Sequence, residues 1–195
     1  VFGTVTKTAV ATGADLVGYK GFGGANRLEQ PYNSDLDFGV GEDFCTMAWA
    51  KLSDGNNQGI FSRQHINATT AYGSGAYYRL YKTGSNNQVG FQVRGTDNVQ
   101  HTVLSSLNTD DSWHQVVGIR RSGVLELYVD GILQGTTAHT ASFANSSAVV
   151  RVGCLQYSGV FYGDSNQNEI ALLRISATAP TAEQIAKMYR DEKPL

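Results

Sequence analysis

The 195-residue chain has only two cysteines and three prolines, and both scarcities close off classes of protein. Cys45 and Cys154 belong to no CxxC pair, so neither a thiolate metal site nor a redox motif is written here. Cys154 alternates with Val150 and Val152 in a predicted strand and reads as a buried thiol, not half of a disulfide. Charge is sparse at 16%, and 15 Lys and Arg against 17 Asp and Glu form no basic run. That argues against a nucleic-acid surface. No apolar run approaches the roughly 18 residues that span a bilayer, and no signal peptide is visible, so no membrane role is expected. His65, His101, His114 and His139 are isolated, and neither HExxH nor G-x-S-x-G occurs. His114, beside Trp113 at a strand start, reads as a satisfied structural histidine. The chain opens at Val1 and reads as a fragment or processed piece of a larger protein.

What is abundant points one way. Twenty-two Gly with ten Tyr and eight Phe suit a sheet protein with many tight turns. Short apolar stretches are separated by Gly/Asn/Ser/Asp clusters at 21–26, 54–58, 70–75, 84–88, 95–98 and 106–112, which predicts strand after strand and a two-sheet antiparallel sandwich. The clearest segment is Trp113 to Leu133. Arg121-Ser122-Gly123 and Asp130-Gly131 supply two reversals, and Leu125, Leu127 and Val129 share one dry face while Glu126, Tyr128 and Asp130 face water. Residues 1–14 read equally as an edge strand or as a linker tail. One helix is expected near the end: Thr181 caps it, Gln184 reaches back, and Ala182, Ile185, Ala186 and Tyr189 form its apolar face as a lid. The whole of 1–195 is expected to form a single domain.

The same segments carry a resemblance. Trp113-His114-Gln115-Val116, Leu125-Glu126-Leu127-Tyr128-Val129-Asp130-Gly131, Phe44-Cys45-Thr46-Met47-Ala48-Trp49-Ala50-Lys51, Ile60-Phe61-Ser62-Arg63 and Ile170 to Ile175 resemble the strand signatures of laminin-G-like jelly rolls in the concanavalin A-like lectin/glucanase superfamily. The resemblance implies an all-β jelly roll with Trp49 and Trp113 in the core. The ending Arg174 to Lys193, with Gln30-Pro31-Tyr32-Asn33-Ser34-Asp35-Leu36-Asp37-Phe38-Gly39, is similar to such modules in tailed-bacteriophage tail and virion proteins. That implies assembly in the host cytoplasm into a virion, with other virion proteins as partners and a homo-oligomer as an open arrangement.

Glucanases of this superfamily cleave with a Glu-x-Asp-x-x-Glu strand whose two carboxylates stand about 5–5.5 Å apart. No such strand is written. Glu126 and Asp130 lie about 13 Å apart at ~3.3 Å per residue, and Asp35 and Asp37 bracket a turn. No enzyme is expected, although a glycan-cleaving role stands as the third reading behind a binding module and a structural virion module.

A glycan site needs aromatic rings for the apolar face of a sugar and amides or carboxylates for its hydroxyls. The loops carrying Tyr72 and Tyr77 and those carrying Tyr157, Phe161, Tyr162 and Asp164 interleave aromatics with small residues, so these six are the candidate ligand-binding residues. Asp164, Asn166 and Asn168 place oxygens at alternate positions and are the candidate calcium ligands, while Glu169, where an EF-hand needs Gly, excludes that motif. Calcium binding in relatives supports this assignment, and Ala171-Leu172 in place of their carboxylates counts against it. The expected function is a non-catalytic module recognising a glycan or another host-surface ligand.

Overall fold

In the computed structural model, the structure describes residues 1–12, 16–53, 57–66, 75–84, 86–108, 110–162 and 168–193. Among them the strands are β1 Thr6–Ala9, β2 Val17–Lys20, β3 Leu28–Gln30, β4 Phe44–Lys51, β5 Gln58–His65, β6 Tyr77–Lys82, β7 Gln88–Arg94 and β8 Gln100–Asn108. The second half holds β9 Trp113–Arg121, β10 Val124–Val129, β11 Ile132–Ala138, β12 Ala148–Val152, β13 Leu155–Tyr157, β14 Val160–Tyr162 and β15 Glu169–Ser176, followed by helix α1 Ala182–Glu192. They form a seven-stranded antiparallel sheet, β1-β2-β15-β4-β9-β10-β11, packed on a six-stranded one, β3-β12-β5-β6-β7-β8, with β13-β14 as a separate hairpin. The expected all-β, two-sheet sandwich with one short C-terminal helix is the observed architecture. Residues 6–9 form an edge strand paired with β2.

Alternation along the strands decides what fills the sandwich. Phe44, Ala48 and Ala50 from β4, Tyr78 and Leu80 from β6, Phe91 from β7 and Leu125, Leu127 and Val129 from β10 join one buried cluster. At its centre Phe38 stacks on Phe44 at 4.6 Å, and Phe143 meets Phe44 and Tyr78 edge-on at 5.4 Å each. Both reversals around β10 are tight turns: Ser122 and Gly123 take φ of 48° and 77°, and Asp130 and Gly131 take 53° and 77°. These positive angles match the twist of the flanking strands. His114 locks the second turn, with Nδ1 at 2.7 Å from Asp130 Oδ2 and Nε2 at 3.1 Å from Asp110 Oδ1. It is the structural histidine the sequence implied.

The outer face of the seven-stranded sheet is not the wet face expected. Cys45, Met47, Val117, Ile119 and Tyr128 form a second buried cluster closed by Ile185 of α1. Trp49 lies on this side too, stacked on Tyr189 at 5.7 Å with its Nε1 donating to Glu192. An amphipathic helix must bury its apolar stripe, and this sheet face supplies the partner. The capping box is present, with Gln184 N donating to Thr181 Oγ1 at 3.2 Å and Thr181 N to Gln184 Oε1 at 2.8 Å. Ala182, placed on the apolar face by spacing, is exposed. Trp113 is only half buried, at the sheet flank, where its Nε1 donates to Val10 O. Cys45 and Cys154 are both free, buried thiols, each pushed up to about 12 by burial.

Candidate functional site

Past β12 the chain leaves the sandwich and lays the β13-β14 hairpin across the outer face of the six-stranded sheet. Gly59 makes that crossing possible, because a Cβ there would lie 2.3 Å from the Cys154 carbonyl carbon. Hydrogen bonds tie the hairpin down: Ser62 Oγ donates to Cys154 O at 3.3 Å, Gln64 Nε2 to Gln156 O at 2.6 Å, and Gln156 N to Gln64 Oε1 at 3.5 Å. The hairpin register pairs Leu155 with Tyr162, Gln156 with Phe161 and Tyr157 with Val160. Side chains therefore alternate between its two faces.

One face builds a cleft of about 300 Å³ lined by Asn57, Arg79, Tyr81, Leu155, Tyr157 and Tyr162. Tyr157 and Tyr162 meet edge-on at 6.1 Å, giving two half-exposed rings nearly at right angles. Tyr81 comes from β6, and its ring lies where a side chain on β7 would otherwise stand: a Cβ at Gly90 would come within 2.4 Å of it. Burial raises the Tyr81 hydroxyl pKa, and the neighbouring Arg79 opposes that rise. Asn57 Oδ1 takes the Gly84 N–H at 2.9 Å, which fixes the amide and leaves Nδ2 to donate. The guanidinium of Arg79 lies 5.2 Å and 5.4 Å from the ring centroids of Tyr77 and Tyr81, within cation–π range.

Of the residues singled out from sequence, the structure brings Tyr157 and Tyr162 together in this cleft. Phe161 points the other way, where its ring lies under Arg27 at 4.2 Å and Arg151 at 5.3 Å. Tyr77 is a correction: it is 2% exposed, and its hydroxyl binds Gln100 Oε1 at 2.8 Å and Gln92 Oε1 at 3.2 Å, so it buttresses Arg79 and presents no ring to a ligand. Asn168 is fully enclosed, with neither amide atom hydrogen-bonded. Tyr72, Asp164 and Asn166 lie outside the described residues. Arg79, Tyr81 and Asn57 were missed by sequence reasoning. The signal that would have found the first two is the alternation Tyr77-Arg79-Tyr81 down one face of β6, opposite the core residues Tyr78 and Leu80.

Asp37 and Glu126 are occupied elsewhere. Asp37 forms an ion pair with Arg63 and also takes Tyr32 Oη at 2.8 Å and Asn145 N at 3.1 Å. Glu126 binds Arg121 and the Tyr128 hydroxyl. Among the described residues no group of three or more His, Cys, Asp or Glu converges to hold a metal, and no helix is long and apolar enough to cross a membrane.

The laminin G family of the concanavalin A-like lectin/glucanases superfamily matches this chain over residues 22–186. The chain belongs to that superfamily. No curated protein sequence matches it. Solved structures similar to this superfamily member include the binding domain of Paraclostridial Mosquitocidal Protein 1, with TM-score 0.72 and 10% identity over 98% of this chain and 47% of that one. The botulinum neurotoxin serotype G binding domain matches at TM-score 0.71 and 11% identity, over 98% of this chain and 46% of that one. The serotype D ligand-binding domain in complex with N-acetylneuraminic acid matches at TM-score 0.67 and 14% identity, over 97% of this chain and 46% of that one. This chain thus spans just under half the length of each, and at such identities the likeness establishes the shared fold.

Proposed function

We propose that this protein is a non-catalytic module that holds a glycan in the cleft between β6 and the β13-β14 hairpin. The observation that carries the reading is the pair of crossed rings, Tyr157 and Tyr162, beside Arg79 and the Asn57 amide. Rings of this kind stack on the apolar face of a pyranose, and the guanidinium and amide reach its hydroxyls. A volume near 300 Å³ is at the lower end of small-molecule sites and matches one or two sugar rings. The similar botulinum neurotoxin domains, the serotype G binding domain and the serotype D ligand-binding domain in complex with N-acetylneuraminic acid, support the same reading.

The expected result is that Tyr157→Ala weakens binding on a glycan panel severalfold, since a well-placed ring contributes about 0.5–1.5 kcal/mol, while the melting temperature stays within a few degrees of wild type. Undiminished affinity in that variant, or release of new reducing ends by the wild-type protein, overturns the reading.

The biological setting we propose is a bacteriophage tail or other virion protein, supported by the resemblance of 30–39 and 174–193 to such modules. Repeated copies there would turn weak single sites into avidity. A structural virion module is the second reading. The observation favouring it is the edge strand β11, which exposes Ile132 at 61% and Leu133 at 48%, a place for another virion protein or a second copy to dock. Calcium belongs to the proposal as well. Asn168 Oδ1 is enclosed and has no hydrogen-bond partner, as a ligand oxygen would be. A chelator is then expected to lower the melting temperature by several degrees, because a ligand bound only to the folded state stabilises it. Melting unchanged by chelator and by added calcium removes calcium from the account.

A further inference from the structure

Three of the large arginines enclosed by this fold are compensated, and a fourth is not. Arg63 pairs with Asp37, Arg151 pairs with Glu29 at 2.9 Å, and Arg120 donates to three carbonyl oxygens at 2.6 Å each. Arg79 is 8% exposed, and among the described residues no carboxylate stands within ion-pair distance of it. Among the described residues its one hydrogen bond runs from Nη2 to the neutral amide oxygen of Gln92. That oxygen also takes the Tyr77 hydroxyl at 3.2 Å, while Gln92 Nε2 donates to Thr102 Oγ1 at 2.9 Å. Nε is enclosed and has no partner. Flanking tyrosine rings offset part of the charge, but a guanidinium with five donors and one acceptor among the described residues stays under-satisfied. Burial lowers the Arg79 pKa, in keeping with a cation short of partners. Among the described residues, no Asp or Glu lines the cleft it faces.

We propose that the cleft selects acidic sugars, with Arg79 receiving a ligand's anionic oxygens, a carboxylate or a sulfate. The proposal rests on the cleft being the glycan site. A planar guanidinium with free N–H groups matches such a group in two-point geometry, and a neutral sugar leaves the same charge unpaired. The selectivity is therefore built from the cost of leaving Arg79 alone as much as from attraction to the anion.

The test compares three probes that share one core: lactose, 3′-sialyllactose and 3′-sulfolactose. Wild-type protein is expected to bind at least one acidic form about tenfold more tightly than lactose, and the preferred form identifies the anionic group. Arg79→Gln is expected to bind all three within about twofold, with a melting temperature at or above wild type, because an uncompensated charge has been removed. Should that variant fail to fold, the wild-type protein still decides the matter, since the preference should shrink as sodium chloride is raised from ~50 to ~500 mM. Equal wild-type affinity for all three probes, an acidic preference that survives in Arg79→Gln, or one indifferent to salt overturns anion selection and leaves a glycan cleft standing. Loss of all binding in Tyr157→Ala keeps the cleft reading, and binding of all three unaffected by Tyr157→Ala removes it, so the two failures are separable.

Discussion

Replacing Arg120 by methionine is expected to lower the stability of the folded protein by about 3–5 kcal/mol, the range for breaking a buried, fully engaged charged group. Arg120 is fully buried in β9. Its Nε donates to Glu42 O, Nη1 to Ala141 O and Nη2 to Gly39 O, each at 2.6 Å. One side chain thus stitches the 39–42 turn and the strand-free segment before β12 to the seven-stranded sheet. Its guanidinium also lies 4.7 Å from the Phe143 ring centroid and 5.5 Å from that of Phe44. Methionine keeps the apolar contact with those rings and leaves three carbonyl oxygens without their donor. Each orphaned buried acceptor costs about 1–3 kcal/mol. Urea unfolding reads the difference directly. A loss under about 1 kcal/mol would mean that water replaces the guanidinium at no penalty.

Acid is expected to weaken the fold through His139, by about 2–3 kcal/mol between pH 6.5 and pH 4. The imidazole is 4% exposed, stacked on Phe143 at 5.0 Å and edge-on to His101 at 5.2 Å, and neither ring nitrogen has a hydrogen-bond partner. Burial, with His101 and Arg120 nearby and Asp97 among the opposing influences, pushes its pKa from 6.5 down to about 4. The unfolded chain therefore takes up a proton as pH falls below about 6.5 while the folded chain does not until about 4. Stability is full above that window and lost through it, at about 1.4 kcal/mol per pH unit. His114 acts with the opposite sign: its bonds to Asp130 and Asp110 raise its pKa, so its contribution is present at low pH and fades as pH rises. The two are separated by His139→Phe, which keeps the stacked ring and removes the titration. The acid limb of the stability curve should flatten in that variant. A limb as steep as wild type would assign the acid loss to other groups.

Much of the fold was legible because the sequence repeats one physical message. The alternation at Leu125, Leu127 and Val129, the Asp130-Gly131 turn and the Thr181-Gln184 box each specify a local geometry that packing does not overrule. What could not be read was which second face becomes dry. Tyr128 alternates with core residues and looks solvent-facing, and only the docking of Ile185 and Met188 across Cys45, Met47 and Val117 buries it. The cleft failed to declare itself for a related reason. Tyr157, Phe161 and Tyr162 look equivalent in two three-residue strands, yet the pairing of Leu155 with Tyr162 sends Phe161 to the opposite face. Arg79 was passed over although it alternates with Tyr77 and Tyr81, since a lone arginine among strand tyrosines reads as an ordinary sheet residue. It became notable when no carboxylate among the described residues proved to stand within ion-pair distance of it.

Mapping a bound sugar onto the protein tests the account most directly. Isotope-labelled wild-type protein titrated with 3′-sialyllactose is expected to show its largest resonance shifts at the Arg79 side chain and at Asn57, Tyr81, Tyr157 and Tyr162. Residues at the Asp130-Gly131 turn and on helix α1 should stay unmoved. Shifts concentrated on those elements or along β11, with the cleft residues silent, would contradict a glycan site between β6 and the β13-β14 hairpin.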